Sequence, residues 1–550
     1  MLFRRIFCAH RRERVESDFF DVFHGETLLA LHVRFGLSRR GTDASDKVVA
    51  TGERVRELYL ITPELQWRYP LGLLPVGQKR FVKWLFGKGR AQHNVSNADI
   101  FRFLHQTASD LRRGIIETYL VNPKWQERFP YALLPDGQRR FLRWLCGQFP
   151  RFRSLRQINN LCSDAFSPKC YRKAKVFGVN ILAHFCYPSG LQQAALAVKA
   201  ALESADCSTS CRDVPAGVAT DLAPRADWLG LEAHPITVIN VAPVPHFANC
   251  YLRAGLHRRE GVYRIANWYW ELETAPAEWS DFAGLIDEIW APTPFVGAAM
   301  RATMHVPVYD ILPGVSLGKS EEISRGTLGI PDNHFLFLFM FDMCSEIERK
   351  NPIGLIHAFR RAFAPNDRAS LLIKSSRGNA DPTGLRMLKD VARENAVLLF
   401  DELTSRERAL GYTGMCDCFV SLHRAEGFGL GLAEAMLLGK PVIATNYSGN
   451  LAFMNQDNSF LVDYKIIEIE KSGPIYKKGF CWANPSEDHA AAQMREVFDN
   501  RDEAAKRAER GQLEVMQKLS IERAGCRMKE RLSQICREHA IPGCARVPSV

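Results

Sequence analysis

The residues best suited to chemistry are two glutamates that enclose a glycine-bearing loop. Glu426 and Glu434 are separated by seven residues, and Gly427 and Gly429 lie between them, just before a helix-forming run. A glycine loop at a helix N-terminus offers free backbone N–H groups and the positive end of the helix dipole to an anion. Carboxylates at both ends of the loop accept hydrogen bonds from hydroxyl groups. The pattern predicts a ligand with hydroxyls at each end and phosphates between them, such as a nucleotide-sugar.

The segments around this loop have the order expected in a parallel sheet. Residues 418–422 are apolar and predict a buried strand, and residues 430–438 predict a helix. Residues 439–441, Gly-Lys-Pro, end that helix, and residues 442–445 predict the next strand. Ligands bind at the carboxyl edge of such sheets, where this loop lies. His423 belongs to the same loop, and we expect it to shape the donor site.

The complete pattern resembles a known signature. EGFGL, EAM, GKPVIAT and SGN follow one another within residues 426–450. This series resembles the donor-binding signature of bacterial group 1 (family 4) retaining glycosyltransferases of the GT-B fold. The resemblance implies two Rossmann-like domains facing a cleft, an α/β class. It also implies that Glu434 binds ribose hydroxyls and Glu426 the hydroxyls of the transferred sugar. The donor-binding loop then comprises Gly427, Phe428, Gly429 and Leu430.

Basic residues upstream are candidates for binding the diphosphate. Arg349 and Lys350 precede a predicted helix at 353–363, and cations at a helix start are disfavoured by the dipole. A shared anion explains their position better than solvation does. The family usually has an arginine about six residues before the lysine, but Cys344 occupies that position here. Which of the two cations binds phosphate therefore stays open. Lys374 ends a predicted strand at 370–374 and is a further candidate for nucleotide contact.

The half of the chain before residue 320 supplies further candidates, most of them for the acceptor side. Gly190 lies in a loop between a predicted strand at 176–182 and a helix at 191–203; either this loop lines the cleft and Gly190 binds the donor, or it is a simple tight turn. His246 follows a predicted strand that begins at residue 236, and the alternative is a purely structural histidine. Glu271 belongs to an aromatic, strand-like segment at 265–273, where rings beside a carboxylate suit a sugar or fill a core. The series WYWELE, DEIWAPTPFV and LPGV resembles the N-terminal half of bacterial group 1 glycosyltransferases.

The residues before 173 contain an internal repeat. Residues 57–87 recur as 117–147, with matched tyrosines, prolines, glycines, phenylalanines and tryptophans sixty residues apart. Each copy predicts a proline-marked turn and then a short helix. In the first copy Phe81, Trp84 and Leu85 share one face, while basic residues occupy the other. Either these aromatic side chains form the core of a small helical domain, or they edge a docking surface.

Charge is concentrated in the same region. Residues 1–160 contain 28 Lys and Arg against 15 Asp and Glu, whereas the rest of the chain contains 44 against 46. A basic surface favours an anionic membrane, glycan or lipid as partner. No nucleic-acid-binding motif accompanies the charge, so we expect no nucleic acid partner.

Four regions are predicted along the chain. They are a mainly helical region at 1–160, a Rossmann-like acceptor domain at 173–320, a Rossmann-like nucleotide-sugar domain at 326–500, and C-terminal helices at 501–540 that pack back across both domains. Residues 1–50 are expected to be partly helical, and residues 151–172 form a linker. Residues 466–486 are interpreted as a mixed-charge insertion.

The composition predicts a cytoplasmic protein with reduced thiols. Fifteen cysteines show no regular framework, and neither a secretory signal nor a membrane-spanning run is found. Neither the 207/211 nor the 416/418 cysteine pair has zinc-site spacing, and no Asp-x-Asp motif occurs. We therefore expect no metal and no cofactor, since the nucleotide-sugar is a substrate. Peripheral contact with the inner face of the cytoplasmic membrane is a further expectation.

The resemblance implies metal-independent sugar transfer with retention, in polysaccharide or lipopolysaccharide synthesis. The acceptor would be a glycan or a lipid-linked glycan. A catalytically decayed GT-B protein is the alternative, acting as a glycan-, nucleotide- or membrane-binding module through its basic repeats. A GT-B phosphorylase is a third hypothesis, but it requires a much longer chain and a pyridoxal lysine. The sequence specifies neither the nucleotide nor the sugar.

Overall fold

The computed structural model describes residues 54–541, except 110, 130, 131, 133, 134, 150–177, 217–227, 229, 231, 233, 255, 257 and 259. The predictions for residues 1–50 and for the linker at 151–172 lie outside the described residues. The chain divides into two compact units, residues 1–174 with 251–257 and residues 175–250 with 258–550.

The described part of the first unit is helical, as predicted. Its helices are α1 (Arg54–Ile61), α2 (Pro63–Arg68), α3 (Lys79–Trp84), α4 (Arg90–His93), α5 (Asn97–Ser109), α6 (Leu111–Leu120), α7 (Pro123–Arg128) and α8 (Pro135–Gln148). Phe81 and Leu85 are buried with Tyr59 and Phe103 in one apolar cluster. Phe81 and Leu85 therefore contribute to a core, and Trp84 packs half-buried against it, which is the first of the two alternatives.

Equivalent contacts occur in the two copies of the predicted repeat. The Tyr59 hydroxyl donates a hydrogen bond to the carbonyl of Tyr69 at 2.7 Å. Sixty residues later, the Tyr119 hydroxyl donates to the carbonyl of Phe129 at the same distance. These contacts support the duplication, which stays a prediction.

The second unit contains two parallel sheets. The first has the order β2-β1-β3-β4-β5-β6 and the second β12-β11-β10-β7-β8-β9. The first sheet comprises β1 (Gly178–Ala183), β2 (Ser208–Asp213), β3 (Ile236–Asn240), β4 (Tyr263–Asn267), β5 (Glu288–Ala291) and β6 (Val308–Asp310). The second comprises β7 (Phe335–Asp342), β8 (Ala369–Ser376), β9 (Leu398–Asp401), β10 (Cys418–Ser421), β11 (Val442–Thr445) and β12 (Phe460–Val462). We call the elements around these sheets the first and second domains. They are the two Rossmann-like domains of the predicted GT-B fold.

Helices connect the strands of both sheets. In the first domain they are α9 (Gly190–Ser204) and α11 (Pro294–Thr303); the short α10 (Cys250–Arg253) begins in the second unit, and its residues 251–253 belong to the first. In the second they are α12 (Ile347–Lys350), α13 (Pro352–Ala362), α14 (Pro382–Glu394), α15 (Arg406–Met415) and α16 (Leu430–Leu437). The strands have nearly continuous apolar sequences because helices cover both faces of a parallel sheet. In β7, for example, all eight residues are buried or half-buried.

Strand order explains why the candidate residues meet. In the second sheet the chain runs outward through β7, β8 and β9, then returns to build β10, β11 and β12 on the other side of β7. The order thus reverses between β7 and β10, and open α/β sheets bind ligands at such a switch point. The first sheet has its own switch point between β1 and β3. The loops after these four strands are therefore the expected walls of a site.

An antiparallel hairpin follows β12. It consists of β13 (Tyr464–Glu468) and β14 (Cys481–Pro485), joined by residues 469–480. The sequence predicted only a mixed-charge insertion at 466–486, and its pairing was missed.

The C-terminal region is helical up to residue 538. α17 (Glu487–Asp499) and α18 (Arg501–Lys518) pack on the second domain, and α19 (Ile521–Glu538) packs on α9 of the first. Ser520 begins α19, and its hydroxyl accepts a hydrogen bond from the Arg523 N–H. A buried ion pair between Arg531 and Glu288 at 2.7 Å joins α19 to β5.

Three local predictions were wrong. The strand expected at 265–273 ends at Asn267, and Trp268 to Glu273 form a connecting segment. The strand expected to end at Lys374 continues to Ser376, so Lys374 is inside β8. Arg349 and Lys350 are not at a helix start but in the last turn of the short α12, because Asn351 adopts a left-handed backbone (φ 52°) and caps α13 instead. The helix-dipole argument for these two cations therefore fails.

In the part of the chain that the structure describes, no helix combines the length and apolar character needed to cross a membrane.

Candidate active site

A cleft of about 1150 Å³ lies between the first and second domains. Loops after β1, β3 and β4 form its first-domain wall, and loops after β7 and β10 form much of its second-domain wall. The first-domain wall includes Gly190, Leu191, Ala194, Val244, Tyr269 and Glu271. The second-domain wall includes Asp342, Arg349, Lys350, Arg406, Glu426, Gly427, Phe428, Gly429, Leu430 and Tyr476.

Two cations and one carboxylate meet at the switch point of the second sheet. The Lys350 ammonium forms an ion pair with Glu426 Oε1, and Arg349 lies 3.3 Å from Glu426 Oε2. Arg349 also donates to the carbonyl of Ala425 at 2.7 Å and is 4 % exposed. Because α12 follows β7 and Glu426 follows the neighbouring β10, sheet topology brings together residues 76 positions apart.

The three charged groups of this cluster have shifted pKa values. Burial by itself would raise the pKa of Glu426, but Lys350 and Arg349 lower it to about 2. Burial lowers the pKa of Lys350, and Glu426 opposes that change. Burial by itself would lower the pKa of Arg349, but Tyr476, Glu426 and Glu271 together raise it above its usual value. The carboxylate is therefore ionised at neutral pH, and the cluster presents positive charge to the cleft.

The glycine loop is tightly enclosed. A Cβ on Gly427 would lie 2.7 Å from the carbonyl oxygen of Trp270 in the first domain. The Gly427 carbonyl accepts a hydrogen bond from Thr293 Oγ1 at 3.0 Å. Gly429 has φ 90° and immediately precedes α16, a conformation that glycine adopts readily. Phe428 is buried against Phe453. These contacts hold the helix N-terminus at the cleft.

His423 supports this loop from behind. It is fully buried, and its Nε2 lies 3.2 Å from Asn450 Oδ1 while Nδ1 lies 3.1 Å from Ser421 Oγ. Because Asn450 Oδ1 is an acceptor, the proton of the neutral ring belongs on Nε2. Burial lowers the pKa of His423 to about 4. The side chain joins the loop after β10 to the loop after β11 and does not line the cleft.

Glu434 is paired within the protein. It is 5 % exposed in the first turns of α16, and Arg406 lies 2.6 Å from its Oε1. Burial raises the pKa of Glu434, and Arg406 opposes that rise. Arg406 lines the cleft, whereas Glu434 lies behind it and does not. The predicted role of Glu434 in binding ribose stays a prediction.

Besides His423 and Glu434, two further predicted residues lie away from the cleft lining. The Lys374 ammonium donates to the carbonyl of Glu402 at 2.7 Å, inside the second domain. Lys374 is not at a strand end, and its contact with the nucleotide stays a prediction. His246 is half-buried beside His184, with ring centroids 5.8 Å apart, and is likewise not part of the lining.

Sequence reasoning missed Tyr476. This residue lies in the loop between β13 and β14, and its hydroxyl donates to Glu271 Oε2 at 2.9 Å. Its ring centroid is 5.7 Å from the guanidinium carbon of Arg349. Nothing in the mixed-charge insertion distinguished this tyrosine, because its partners are remote in sequence.

Sequence reasoning also missed Arg377. Its guanidinium forms an ion pair with Asp342, donates to the carbonyl of Pro188 in the first domain, and lies over the Tyr187 ring at 4.7 Å. A second contact between the two domains is thus built around a buried arginine.

No group of three or more His, Cys, Asp or Glu side chains within the described ranges could hold a metal ion. Cys207, Cys211, Cys416 and Cys418 are free buried thiols.

Comparison with known proteins identifies the second domain. A family model described as glycosyl transferases group 1 matches residues 321–514. A search of curated proteins gives no significant match.

Solved structures with similar architecture include three bacterial proteins. HepE of Anabaena in complex with UDP and glucose is 14 % identical, with a TM-score of 0.47, and the match covers 65 % of this chain and 100 % of HepE. Sucrose-phosphate synthase of Thermosynechococcus elongatus is 14 % identical, with a TM-score of 0.48 and coverage of 66 % and 100 %. A glycosyltransferase of Rickettsia africae ESF-5 is 13 % identical, with a TM-score of 0.46 and coverage of 66 % and 99 %. Sequence identities and TM-scores this low support no inference about the donor or the acceptor of this chain.

The family match spans β7 to β12, the glycine loop, Lys350, Glu426 and most of α18. The chain therefore contains a group 1 glycosyltransferase domain and is an enzyme of the glycosyltransferase class.

Proposed function

We propose that this enzyme transfers a sugar from a nucleotide-sugar to a glycan or lipid-linked acceptor, with retention and without a metal ion. The observation that carries the proposal is the cluster of Lys350, Arg349 and Glu426 beside the N-terminus of α16. Positive charge and free backbone N–H groups converge there on one side of the cleft. This combination suits a diphosphate that must leave as an anion.

Each group in the cluster then has a distinct task. Lys350, Arg349 and the amides of residues 427–430 stabilise the charge that develops on the leaving diphosphate. Glu426 accepts hydrogen bonds from hydroxyls of the transferred sugar, and its low pKa keeps it ionised for that purpose. Transfer on the face from which the diphosphate departs retains the anomeric configuration and requires no covalent protein nucleophile.

The first-domain wall is suited to the acceptor. It combines apolar side chains, among them Leu191, Ala194 and Val244, with the carboxylates of Glu271 and Glu278. Apolar surface and carboxylates fit either a glycan or the sugar end of a lipid-linked acceptor. Glu271 lies near the transferred sugar in this arrangement, because Tyr476 links it to the Arg349 side of the site.

A donor panel tests the proposal. The purified protein is incubated with UDP-glucose, UDP-N-acetylglucosamine, GDP-mannose and dTDP-rhamnose, and release of nucleoside diphosphate is measured with and without EDTA. We expect hydrolysis or transfer with a preferred donor, unchanged by EDTA. A protein that binds a nucleotide-sugar without turning it over would instead be a decayed transferase. Turnover that EDTA abolishes and Mg²⁺ restores would contradict metal independence.

A specific observation supports a docking role for the first unit. Trp67 is 86 % exposed, and Lys79, Arg80 and Lys83 are exposed on α3 of the same unit. Tryptophan favours the membrane interface, and each basic residue near an anionic bilayer contributes about 1 kcal/mol. We propose that this unit docks on an anionic membrane, where a lipid-linked acceptor would be found.

A further inference from the structure

The hairpin loop of residues 469–480 is fixed on the second domain at the edge of the cleft. Glu346 Oε1 accepts hydrogen bonds from the backbone N–H of Ile475 at 2.6 Å and of Tyr476 at 3.3 Å. Gly473 passes so close to the Glu346 carboxylate that a side chain at that position would collide with it. These contacts fix the backbone at Tyr476 although the neighbouring residues on the loop are exposed.

Tyr476 points from this anchor into the site and not into solvent. It is 2 % exposed, its ring packs against Trp270 with centroids 5.5 Å apart, and the Arg349 guanidinium and the Trp482 ring are further neighbours. Its hydroxyl reaches Glu271 of the first domain, 205 residues earlier in the chain. The bond therefore crosses from one wall of the cleft to the other.

Glu271 depends on this contact for its orientation. It lies on the connecting segment after β4, outside any regular element. Within the described ranges, Tyr476 is the residue that donates a hydrogen bond to its carboxylate. Without that bond the carboxylate would be free to rotate toward water, because Glu271 is only half-buried.

We propose that Tyr476 is a positioning residue that holds the Glu271 carboxylate over the sugar end of the cleft when the two domains are closed. The inference rests on the proposed function, because it assigns Glu271 to a sugar hydroxyl or to the acceptor. Tyr476 acts through two contacts: its hydroxyl bonds to Glu271, and its ring packs against the Arg349 guanidinium.

The strength of the contact sets the expected effect. A hydrogen bond to a charged group contributes more than one between neutral groups. Loss of such a bond corresponds to about a ten- to hundredfold fall in rate. Tyr476→Phe should lower kcat by that factor and leave the KM for the donor nearly unchanged, because the diphosphate contacts remain.

A double-mutant cycle tests whether Tyr476 acts through Glu271. Transfer rates are measured for wild type, Tyr476→Phe, Glu271→Gln and the double variant. Tyr464→Phe serves as the control, because Tyr464 lies on β13 of the same hairpin and is 37 % exposed. We expect the double variant to be no slower than Glu271→Gln and the control to keep the wild-type rate. If the two single losses multiply in the double variant, the proposed coupling is wrong.

A second readout does not require catalysis. Hydrogen exchange of the segment 269–273 should increase in Tyr476→Phe and stay at the wild-type level in Tyr464→Phe. Unchanged exchange in Tyr476→Phe would overturn the positioning role even if activity fell. If the wild type is active but the losses of Tyr476→Phe and Glu271→Gln multiply in the double variant, the positioning role of Tyr476 is refuted and the proposed function is not. A wild type that turns over no donor refutes the proposed function and, with it, the catalytic role of Tyr476.

Discussion

Replacing His423 by asparagine should remove a pH-dependent part of the stability of the second domain. His423 is fully buried and lies between Ser421 and Asn450. The folded protein strongly prefers the neutral ring, because burial lowers the pKa from 6.5 to about 4. The unfolded chain has no such preference. Protonation therefore favours unfolding as the pH falls below about 6.5.

The size of this effect follows from the pKa difference. Each pKa unit corresponds to about 1.4 kcal/mol, so the folded-state pKa of about 4 implies about 3 kcal/mol. This contribution is fully present above pH 6.5 and is lost as the pH falls from 6.5 through 4. The difference in unfolding free energy between wild type and His423→Asn should therefore be constant above pH 6.5 and shrink by about 3 kcal/mol toward pH 4.

Urea unfolding followed by tryptophan fluorescence at pH 8, 7, 6, 5 and 4.5 measures this difference. His357→Asn is the matched control, because the His357 side chain is 47 % exposed and lies on α13 of the same domain. We expect the control to change the unfolding free energy only slightly, because the His357 ring is exposed. A His423→Asn difference that stays the same from pH 8 to pH 4.5 would show that His423 is not held neutral.

Two further substitutions have simple expectations. Gly427→Ala should reduce transfer at least a hundredfold with little change in melting temperature, because the new Cβ would meet the Trp270 carbonyl and push the loop from its position. Gly431→Ala is the control. A Cβ at Gly431 would make an ordinary contact at 3.4 Å, so this variant should keep most of the activity. Equal activity in both variants would argue against a fixed loop. Trp67→Ala should weaken co-sedimentation with vesicles containing phosphatidylserine severalfold, while Leu513→Ala, at a site that is 54 % exposed in the second unit, should not. Wild-type binding that is equal for neutral and anionic vesicles would contradict the docking proposal.

The sequence was most informative where local patterns coincide with long-range structure. The strand at 442–445 has the predicted bounds, because an apolar run directly after Gly-Lys-Pro is typical of a buried parallel strand. Arg349, Lys350 and the glycine loop were also predicted to bind one diphosphate. In the structure they are neighbours because the loops after β7 and β10 meet at one switch point.

The failures have local physical causes. A left-handed Asn351 separates the short helix α12, which the sequence did not predict, from the predicted helix α13, and that conformation cannot be read from the residue type alone. Lys374 was misplaced because the predicted strand stopped two residues early. Tyr476 and Arg377 were missed because each acquires its role from partners in the other domain, 205 and 189 positions away. No spacing rule connects residues so far apart.

The most direct test of the account is the donor turnover of Lys350→Ala relative to Lys389→Ala. Lys350 neutralises Glu426 and faces the cleft, whereas Lys389 is an exposed lysine on α14. Loss of one preorganised cation at a leaving diphosphate should lower kcat by about a hundred- to thousandfold. We predict that loss for Lys350→Ala, a similar loss for Glu426→Ala, and wild-type rates for Lys389→Ala. Full turnover by Lys350→Ala and Glu426→Ala would contradict the assignment of this loop as the donor site.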